Sequence, residues 1–351
     1  MRSVSRDIQA ELKGTFGDRV RFDELERMFY SHDMGSLPSL VKPIVGNTLP
    51  AGVVQPLTEE QVIGLTALAR THGIPLVPRG KSTSGYGGVV PVKGGIVVDF
   101  AWMNQILRVD PEAKTVTVEP GVVWEQLETA LNKQGLALRT YPSSAPSSTV
   151  GGWLAQGGLG FGSYEFGEFH ENVVSCRAVL PSGEVREFSG DELDLIRGAE
   201  GTTGLITEVT IRVREFEPEV LWGAQFPTAG HLARAVESIK VSELPFWSVS
   251  FINPAMAHVR NNLPPHIEHD KVVEEKRPVL PEAYLVVFAA PQSRRSALEA
   301  QLESLVHAGG GEMLSDEIVE DEWSNRFNLM HGKRLGPSVA PAEVVVPLDR
   351  L

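Results

Sequence analysis

The spacing of apolar residues early in the chain predicts a strand, a helix and two further strands. Residues 53–54 form a short apolar strand, and Thr58–Gln61 is a capping box that begins a helix. That helix carries its apolar residues on one face and ends at Gly73. Strands follow at residues 74–77 and 95–100, with a glycine-rich loop between them. The loop therefore follows the carboxyl end of a strand, where open α/β sheets bind ligands.

The pattern continues with mostly strand-like segments up to residue 215. A helix with an apolar face follows Gly121, whereas residues 142–163 show no periodicity at all. Apolar or alternating runs predict further strands at residues 115–119, 173–180, 184–188 and 206–214. The sequence thus predicts an α+β domain over residues 46–215, preceded by an N-terminal arm over residues 1–45 with two helical stretches.

After residue 215 a different arrangement begins. A strand at residues 220–226, a helix at 231–241 and a strand at 246–251 precede a charged, proline-rich stretch at 261–281. A strand at residues 284–288 and a helix at 293–307 follow. Repeated strand–helix–strand units of this kind predict a ferredoxin-like domain over residues 216–351.

Composition and charge narrow the possible functions. The chain has 45 acidic and 32 basic residues and a formal net charge of −13, which argues against binding to nucleic acids or anionic membranes. No apolar run approaches the roughly 20 residues of a membrane span, and no signal-peptide pattern is present. The single cysteine, Cys176, excludes an internal disulfide and an iron–sulfur cluster held by this chain, since such a cluster needs about four cysteines. We expect a cytoplasmic protein in which Cys176 is a buried strand residue.

Three glycine segments are the candidate binding elements. The first glycine segment (residues 78–88) combines four glycines with the hydroxyls of Ser82, Thr83 and Ser84. Successive N–H groups in such a loop bind anions, although a simple glycine-rich turn is the alternative. It is neither a P-loop nor a GxGxxG fingerprint, because a strand and not a helix follows it. The second (residues 140–163) is long enough to wrap an extended ligand, and the third (residues 198–209) leads directly into a strand.

Together these segments resemble the FAD-binding domain of the vanillyl-alcohol oxidase and p-cresol methylhydroxylase (PCMH) flavoprotein superfamily. Within it they are most similar to the FAD-linked subunit of glycolate oxidase and to D-lactate dehydrogenases. The first segment matches the pyrophosphate loop of that family, residues 147–152 match its second cofactor segment, and residues 197–208 match the segment along the isoalloxazine. The resemblance implies a two-subdomain PCMH-type FAD-binding domain followed by a substrate cap domain.

The resemblance also implies the residues that bind FAD. The pyrophosphate would lie against the backbone of Arg79, Gly80, Lys81, Ser82, Thr83, Ser84, Gly85 and Tyr86. The flavin and ribityl groups would lie against Pro142, Ser143, Ser144, Thr149, Gly151 and Gly152, with Gly157, Gly158 and Ser163 nearby. The third segment would complete the pocket with Glu200, Gly201, Gly204 and Ile206. Because the first segment contains no histidine, we expect FAD to be bound non-covalently, with the Lys81 side chain pointing to solvent.

Two further features concern the cap domain. Trp323–Arg326 resembles the Trp-x-x-Arg region of these enzymes, which implies that Arg326 contacts a substrate carboxylate. The alternative is a solvated arginine on an amphipathic helix. His266 and His269 have the spacing of two metal ligands, but no third ligand accompanies them, so we expect a solvated loop and no metal site.

The implied activity is FAD-dependent oxidation of a small 2-hydroxy acid, with electrons passed to an acceptor protein or iron–sulfur subunit, to a quinone or to oxygen. The sequence ends at Leu351, before the histidine-containing segment that the resemblance implies for the catalytic base. We therefore expect the cap domain to be incomplete here and to be completed by another chain or a longer one. A non-catalytic flavin-binding subunit or electron relay, and an NADPH-dependent reductase of the UDP-sugar type, stay open as alternatives.

Overall fold

The computed structural model describes residues 4–35, 42–269, 271–273 and 277–336. The chain divides into two compact units. The first comprises residues 1–160 and 168–215, and the second comprises residues 161–167 and 216–351.

The described part of the first unit contains six α-helices and ten strands. The helices are α1 (Arg6–Phe16), α2 (Glu24–Phe29), α3 (Lys42–Val45), α4 (Glu59–His72), α5 (Trp124–Asn132) and α6 (Val150–Gln156). The strands are β1 (Val20–Arg21), β2 (Gly52–Val54), β3 (Leu76–Arg79), β4 (Ile96–Asp99), β5 (Ile106–Asp110), β6 (Thr115–Val118), β7 (Leu136–Leu138), β8 (Val173–Val179), β9 (Val185–Phe188) and β10 (Leu205–Glu215). Short 3-10 helices lie at Gly17–Arg19, Phe100–Trp102, Phe169–Asn172 and Gly190–Leu195.

These strands form two sheets. In the first, with the order β1-β2-β4-β3, the strands β2, β4 and β3 are parallel and β1 pairs antiparallel with β2. The second has the order β5-β6-β10-β8-β9 with β7 paired to β10, and its pairings are antiparallel. Two sheets in one unit are consistent with the two subdomains expected from the sequence.

Helix α4 connects β2 to β3 and follows the predicted pattern. Thr58 accepts a hydrogen bond from the Gln61 N–H at 3.3 Å, and Gly73 ends the helix in the left-handed conformation. Strand β3 runs two residues further than predicted, so that Arg79 pairs with Asp99 of β4. The first glycine segment therefore leaves the sheet at Arg79.

Part of the segment predicted as an N-terminal arm packs into the first unit. Strand β1 extends the parallel sheet, and α1 buries Leu12 and Phe16 in the core beside Val54 and Val98. This packing is hydrophobic and involves residues far apart in sequence, so the local pattern of residues 1–45 does not show it.

A carboxylate joins helix α4 to the second sheet of the first unit. Glu59, at the start of α4, accepts hydrogen bonds from Arg177 of β8 at 2.6 Å and from the hydroxyl of Thr207 in β10 at 2.6 Å. Burial raises the pKa of Glu59, but the bonds from Arg177 and Thr207 outweigh burial and leave that pKa below its ordinary value.

The Glu59→Gln variant should lower the free energy of unfolding by about 1–2 kcal/mol at pH 7. A carboxyl whose pKa is lower in the folded state stabilises the protein above its unfolded pKa and loses this effect as the pH falls through the folded value. The difference between wild type and variant in urea unfolding should therefore shrink from pH 7 to pH 3.5. Glu60→Gln, one residue along the same first turn and exposed, is the control and should change little. An undiminished difference at pH 3.5 would contradict this role of Glu59.

The described part of the second unit is built around one four-stranded sheet. Its helices are α7 (Ser163–Phe166), α8 (Ala229–Val241), α9 (Pro254–Asn261), α10 (Arg295–Ala308) and α11 (Asp316–Ser324), with 3-10 helices at Gln292–Arg294 and Leu329–Leu335. Its strands are β11 (Glu219–Phe226), β12 (Ser248–Ile252), β13 (His266–Glu268), β14 (Lys271–Val273), β15 (Tyr284–Pro291) and β16 (Glu312–Met313).

The strand order β12-β15-β11-β16, with antiparallel neighbours, is the ferredoxin-like arrangement predicted from the sequence. Helices α8 and α10 pack on one face through Leu232, Ile239, Leu298 and Leu302. The charged stretch and the residues just before it contain elements that periodicity did not predict. Helix α9 begins at the cap Asn253, and β13 and β14 form a hairpin.

Among the described residues, none of the helices combines the length and the apolar character needed to cross a membrane. In the same residues no group of three or more His, Cys, Asp or Glu side chains is placed to hold a metal ion. Cys176 is 1% exposed in β8, and burial, together with Glu208, raises the pKa of its thiol to about 12.

Candidate functional site

The first glycine segment leaves β3 as an irregular loop. Ser82 has a φ of +55°, in the left-handed region that non-glycine residues rarely adopt. Its hydroxyl oxygen is buried and has no hydrogen-bond partner among the described residues. Lys81 is exposed. A strained residue with an unsatisfied buried hydroxyl is typical of a ligand-binding site in which the ligand supplies the missing hydrogen bond.

The side chain of Arg79 is directed to the N-terminal part of the unit. Its guanidinium donates hydrogen bonds to the carbonyl oxygens of His32 at 3.0 Å and of Tyr30 at 3.4 Å, and it lies 5.0 Å from the centre of the Tyr30 ring. The Arg79 guanidinium is therefore bound by Tyr30 and His32.

The second glycine segment contains helix α6, which corrects the expectation of a stretch without secondary structure. Thr149 caps the helix by accepting a hydrogen bond from the Gly152 N–H at 3.2 Å. Two hydrogen bonds to residues distant in the sequence fix the start of the helix. The Gly151 N–H donates to the Pro120 carbonyl oxygen and the Val150 N–H donates to the Val122 carbonyl oxygen, each at 2.9 Å. Periodicity could not reveal a helix of two turns whose position depends on partners elsewhere in the chain.

An aromatic cluster holds the other face of α6. Trp153 stacks on Phe169 with ring centres 4.5 Å apart, and Trp124 meets both rings edge to face at 5.3 and 5.1 Å. Buried aromatic contacts of this kind give the glycine-rich helix a rigid support.

The third glycine segment lies between the other two. The Glu200 N–H donates to the Ala155 carbonyl oxygen at 2.8 Å, which ties this segment to α6. Gly198, Glu200 and Gly201 all have positive φ, at +62°, +52° and +71°. A Cβ on Gly201 would collide with the Pro78 ring, so the third segment packs directly on the strand that leads into the first.

The three segments meet at one pocket of about 500 Å³ in the first unit. The sequence-predicted residues that line it are Arg79, Gly80, Thr149, Gly151, Gly152, Glu200, Gly201, Gly204 and Ile206. The lining residues that sequence reasoning missed are Pro78, Val89, Phe100, Pro120 and Ala155. Pro78 and Pro120 stand at the ends of predicted strands, which is the signal that could have indicated them.

Other predicted residues lie outside this lining. In the first unit they are Lys81, Ser82, Thr83, Ser84, Gly85, Tyr86, Pro142, Ser143, Ser144, Gly157 and Gly158. Ser163 begins α7 and belongs to the second unit.

Carboxylates give this pocket an unusual charge for an anion site. Burial raises the pKa of Glu200, and the nearby Asp33 carboxylate raises it further. A Cβ on Gly88 would collide with the Glu200 carboxylate, so Glu200 lies against the end of the first segment. Among the lining residues, Glu200 therefore brings a carboxyl group of raised pKa to the wall of the pocket.

A second pocket, of about 650 Å³, lies within the second unit and contains Arg326. Arg326 follows the end of α11 and is not on the helix, which rules out the solvated helix position considered above. It donates a hydrogen bond to the Trp323 carbonyl oxygen at 2.6 Å, and its guanidinium carbon lies 4.5 Å from the Trp323 ring centre and 4.3 Å from that of Phe327. The aromatic rings hold the guanidinium half-buried at the pocket.

Two further arginines pair with two of the acidic residues of α11 in this unit. Arg277 pairs with Asp321 at 2.6 Å, and Arg260 pairs with Glu322, which is 7% exposed. Apolar residues form much of the remaining wall: Phe161, Phe251, Ile252, Leu285, Val287 and Leu314.

Comparison with known proteins identifies the first unit. Residues 50–189 match the protein family described as "FAD binding domain". Glycolate oxidase subunit GlcD of Bacillus subtilis is 30% identical over 221 residues, which are 60% of this chain and 45% of that protein. The chain belongs to the PCMH-type FAD-binding family. FAD is its cofactor.

Other relatives of this FAD-binding chain have different names. An alkyldihydroxyacetonephosphate synthase of Dictyostelium discoideum is 32% identical over 249 residues, 67% of this chain and 40% of that protein. A mitochondrial D-lactate dehydrogenase [cytochrome] of Arabidopsis thaliana is 28% identical over 270 residues, 74% of this chain and 46% of that protein. The chain thus spans less than half the length of these curated relatives.

The fold is shared with solved structures as well. A structure of alkyldihydroxyacetonephosphate synthase has a TM-score of 0.81 at 24% sequence identity. The superposition covers 96% of this chain and 67% of the synthase chain. At that identity the likeness establishes the fold alone.

The residues of the first pocket fit FAD. Glycines at the pocket wall allow a cofactor to approach the backbone closely. Ser82 is outside the pocket lining but belongs to the same glycine segment as Gly80, and its unsatisfied hydroxyl can donate to a phosphate oxygen. A Cβ on Gly80 would meet the Thr149 hydroxyl, and one on Gly151 would meet Pro120, so larger residues there would displace the walls. The glycine pattern is therefore explained by the shape of the pocket.

Proposed function

We propose that this FAD-linked oxidoreductase oxidises a small 2-hydroxy acid of the glycolate or D-lactate type and passes the electrons to a partner acceptor. The observation that carries the proposal is the meeting of the three glycine segments at one pocket, in a chain with relatives named as a glycolate oxidase subunit and a D-lactate dehydrogenase. The FAD is proposed to be non-covalent, since residues 78–88 contain no histidine. A cytoplasmic location stays a prediction.

Different residues of the chain would bind the cofactor and the substrate. The backbone of the first and second glycine segments, with Ser82 and Thr149, binds the cofactor, and the Arg326 guanidinium binds the substrate carboxylate through two parallel hydrogen bonds. FAD bound there would supply the two-electron acceptor for the oxidation of the carbon that bears the hydroxyl group. With one cysteine, this chain cannot itself bind an iron–sulfur cluster through four cysteines, so an acceptor protein or iron–sulfur subunit is the proposed partner.

Two other functions have specific support. The 32% identity to the alkyldihydroxyacetonephosphate synthase of Dictyostelium discoideum, and the apolar wall of the Arg326 pocket, favour a synthase that acts on an alkyl substrate as the second candidate. A non-catalytic flavin-binding subunit or electron relay, completed by another chain, is the third, because the family match over residues 50–189 supports flavin binding and specifies no reaction.

Anaerobic mixing of the FAD-loaded chain with single substrates separates these functions. D-lactate or glycolate should bleach the flavin absorbance near 450 nm within the mixing experiment if the proposed function is right. Bleaching by NADPH alone would instead indicate a reductase. No bleaching by these substrates, with formation of an alkyldihydroxyacetonephosphate when a dihydroxyacetonephosphate derivative and an alkyl donor are supplied together in a separate mixture, would indicate the synthase. Neither reaction would indicate the non-catalytic subunit. Acid precipitation of the same sample should release all of the flavin into the supernatant if binding is non-covalent.

A further inference from the structure

The first glycine segment is held by a short stretch of chain that precedes the matched FAD-binding region. Residues 30–35, which we call the clasp, follow α2 and run alongside the loop, whereas the family match begins at residue 50. The clasp contacts the loop at its beginning, its middle and its end.

At the beginning of the loop the clasp binds Arg79. The carbonyl oxygens of Tyr30 and His32 accept hydrogen bonds from its guanidinium, whose carbon lies over the Tyr30 ring. The Tyr30 hydroxyl in turn donates to the Asp99 carboxylate at 2.9 Å. Asp99 is the β4 residue that pairs with Arg79 at the end of β3. The point where the loop leaves the sheet is therefore fixed from two sides.

In the middle of the loop the clasp binds the backbone around the strained serine. The Met34 N–H is shared between the carbonyl oxygens of Ser84 at 3.1 Å and Ser82 at 3.3 Å. A non-glycine residue in the left-handed region persists only where its surroundings enforce that conformation. The Met34 bond is one such constraint, and it keeps the buried Ser82 hydroxyl in place.

At the end of the loop the Asp33 carboxylate binds two backbone groups. One oxygen accepts from the Gly87 N–H and the other from the Gly35 N–H, each at 2.7 Å. Asp33 is only 8% exposed, so both bonds are made with little competition from water. A Cβ on Gly35 would collide with the Gly85 carbonyl oxygen, which shows how closely clasp and loop approach.

We propose that Asp33 is a positioning residue for FAD, which acts by fixing the first glycine segment in the conformation that binds the pyrophosphate. The proposal rests on the assignment of that segment to FAD and is independent of the identity of the substrate. It assigns a cofactor role to a residue outside the matched region.

Because Asp33 is charged, the direction in which its replacement changes the FAD affinity tests the proposal. A carboxylate beside a pyrophosphate site repels the ligand, so a residue that acted only through its charge would weaken FAD binding, and its removal would strengthen it. A positioning residue has the opposite effect, because without it the loop loses the charge-assisted bond at Gly87 and the clasp loses the one at Gly35. Asn at this position has one acceptor oxygen and can keep at most one of the two bonds, so it should fall between Ala and wild type.

The test measures FAD and riboflavin affinities of the flavin-free full chain by fluorescence titration. Asp33→Ala and Asp33→Asn should weaken FAD binding roughly 10- to 100-fold, the loss expected for one or two charge-assisted bonds. Riboflavin has no phosphate, so its affinity should stay at the wild-type value. Asp23→Ala is the matched control, since Asp23 also accepts a backbone N–H, at the start of α2, but does not contact the loop.

A second pair of variants tests the clasp without changing charge. Gly35→Ala should weaken FAD binding by pushing the clasp from the loop, and Gly14→Ala, whose Cβ would meet nothing within 4 Å, should not. Wild-type or tighter FAD binding by Asp33→Ala would overturn the proposal. So would an equal loss of FAD and riboflavin affinity accompanied by a lower melting temperature of the flavin-free variant, because that result indicates general destabilisation.

Discussion

The Gly201→Ala variant should be purified without flavin and should bind added FAD about 100-fold more weakly than the wild type. Two effects combine at this position. The residue has a φ of +71°, which a side chain makes strained, and a Cβ would collide with the Pro78 ring. The third glycine segment must then move away from β3, which opens the pocket wall between Gly80 and Gly204.

A neighbouring glycine provides the control for backbone strain. Gly198 has a similar φ of +62°, but the nearest atom to a Cβ there is the Gln156 carbonyl oxygen at 3.7 Å. Gly198→Ala should therefore lower the stability of the protein by about 1 kcal/mol and keep its FAD. Both variants are checked by flavin content after purification and by circular dichroism of the flavin-free protein. A flavin-loaded Gly201→Ala variant would contradict the assignment of this pocket to FAD.

Replacement of Arg326 should impair the reaction with substrate and leave the flavin content unchanged. A carboxylate bound by one charge-assisted hydrogen bond gains about 1.5–3 kcal/mol, so Arg326→Ala should weaken substrate capture by roughly 10- to 150-fold. Arg326→Lys keeps the charge but loses the planar fork and the stacking on Trp323 and Phe327, so it should fall between Ala and wild type. The residues that line the FAD pocket all belong to the first unit, which explains the unchanged flavin content.

The measurement is the anaerobic rate of flavin reduction as a function of D-lactate or glycolate concentration, with any completing partner chain present. Arg295→Ala, an exposed arginine at the start of α10, is the control and should behave as the wild type. Wild-type reduction by Arg326→Ala at every concentration would show that this arginine serves the protein only as a structural residue.

Local signals in the sequence were sufficient for most of the fold. The cap at Thr58 and the stop at Gly73 define α4, and alternation in residues 206–214 identifies the long strand β10. The strand–helix–strand repeats after residue 215 are also local signals. They predict a ferredoxin-like domain, and the observed strand order β12-β15-β11-β16 agrees with that prediction. These elements could be predicted because short-range periodicity and capping determine them.

The features that could not be predicted depend on contacts between distant residues. Helix α6 is positioned by Pro120 and Val122, and Gly201 is required because Pro78 lies beside it. Asp33 carries no pattern of its own, and its role becomes visible only when the Gly87 N–H is found 2.7 Å from its carboxylate. Motif resemblance located the glycine segments but could not reveal what holds them.

The two-residue strand β1 has a consequence for how the FAD-binding region can be shortened. In the sheet order β1-β2-β4-β3, β1 covers the outer edge of β2, whose Val53 and Val54 are fully buried. A chain that began at residue 50, where the family match begins, and still contained β10 would expose that edge as a row of unpaired N–H and C=O groups beside two valines. Unprotected apolar edges pair with other chains, so such a fragment should precipitate or form intermolecular sheets. Expression of the FAD-binding region alone therefore requires a start ahead of α1, so that the edge stays covered.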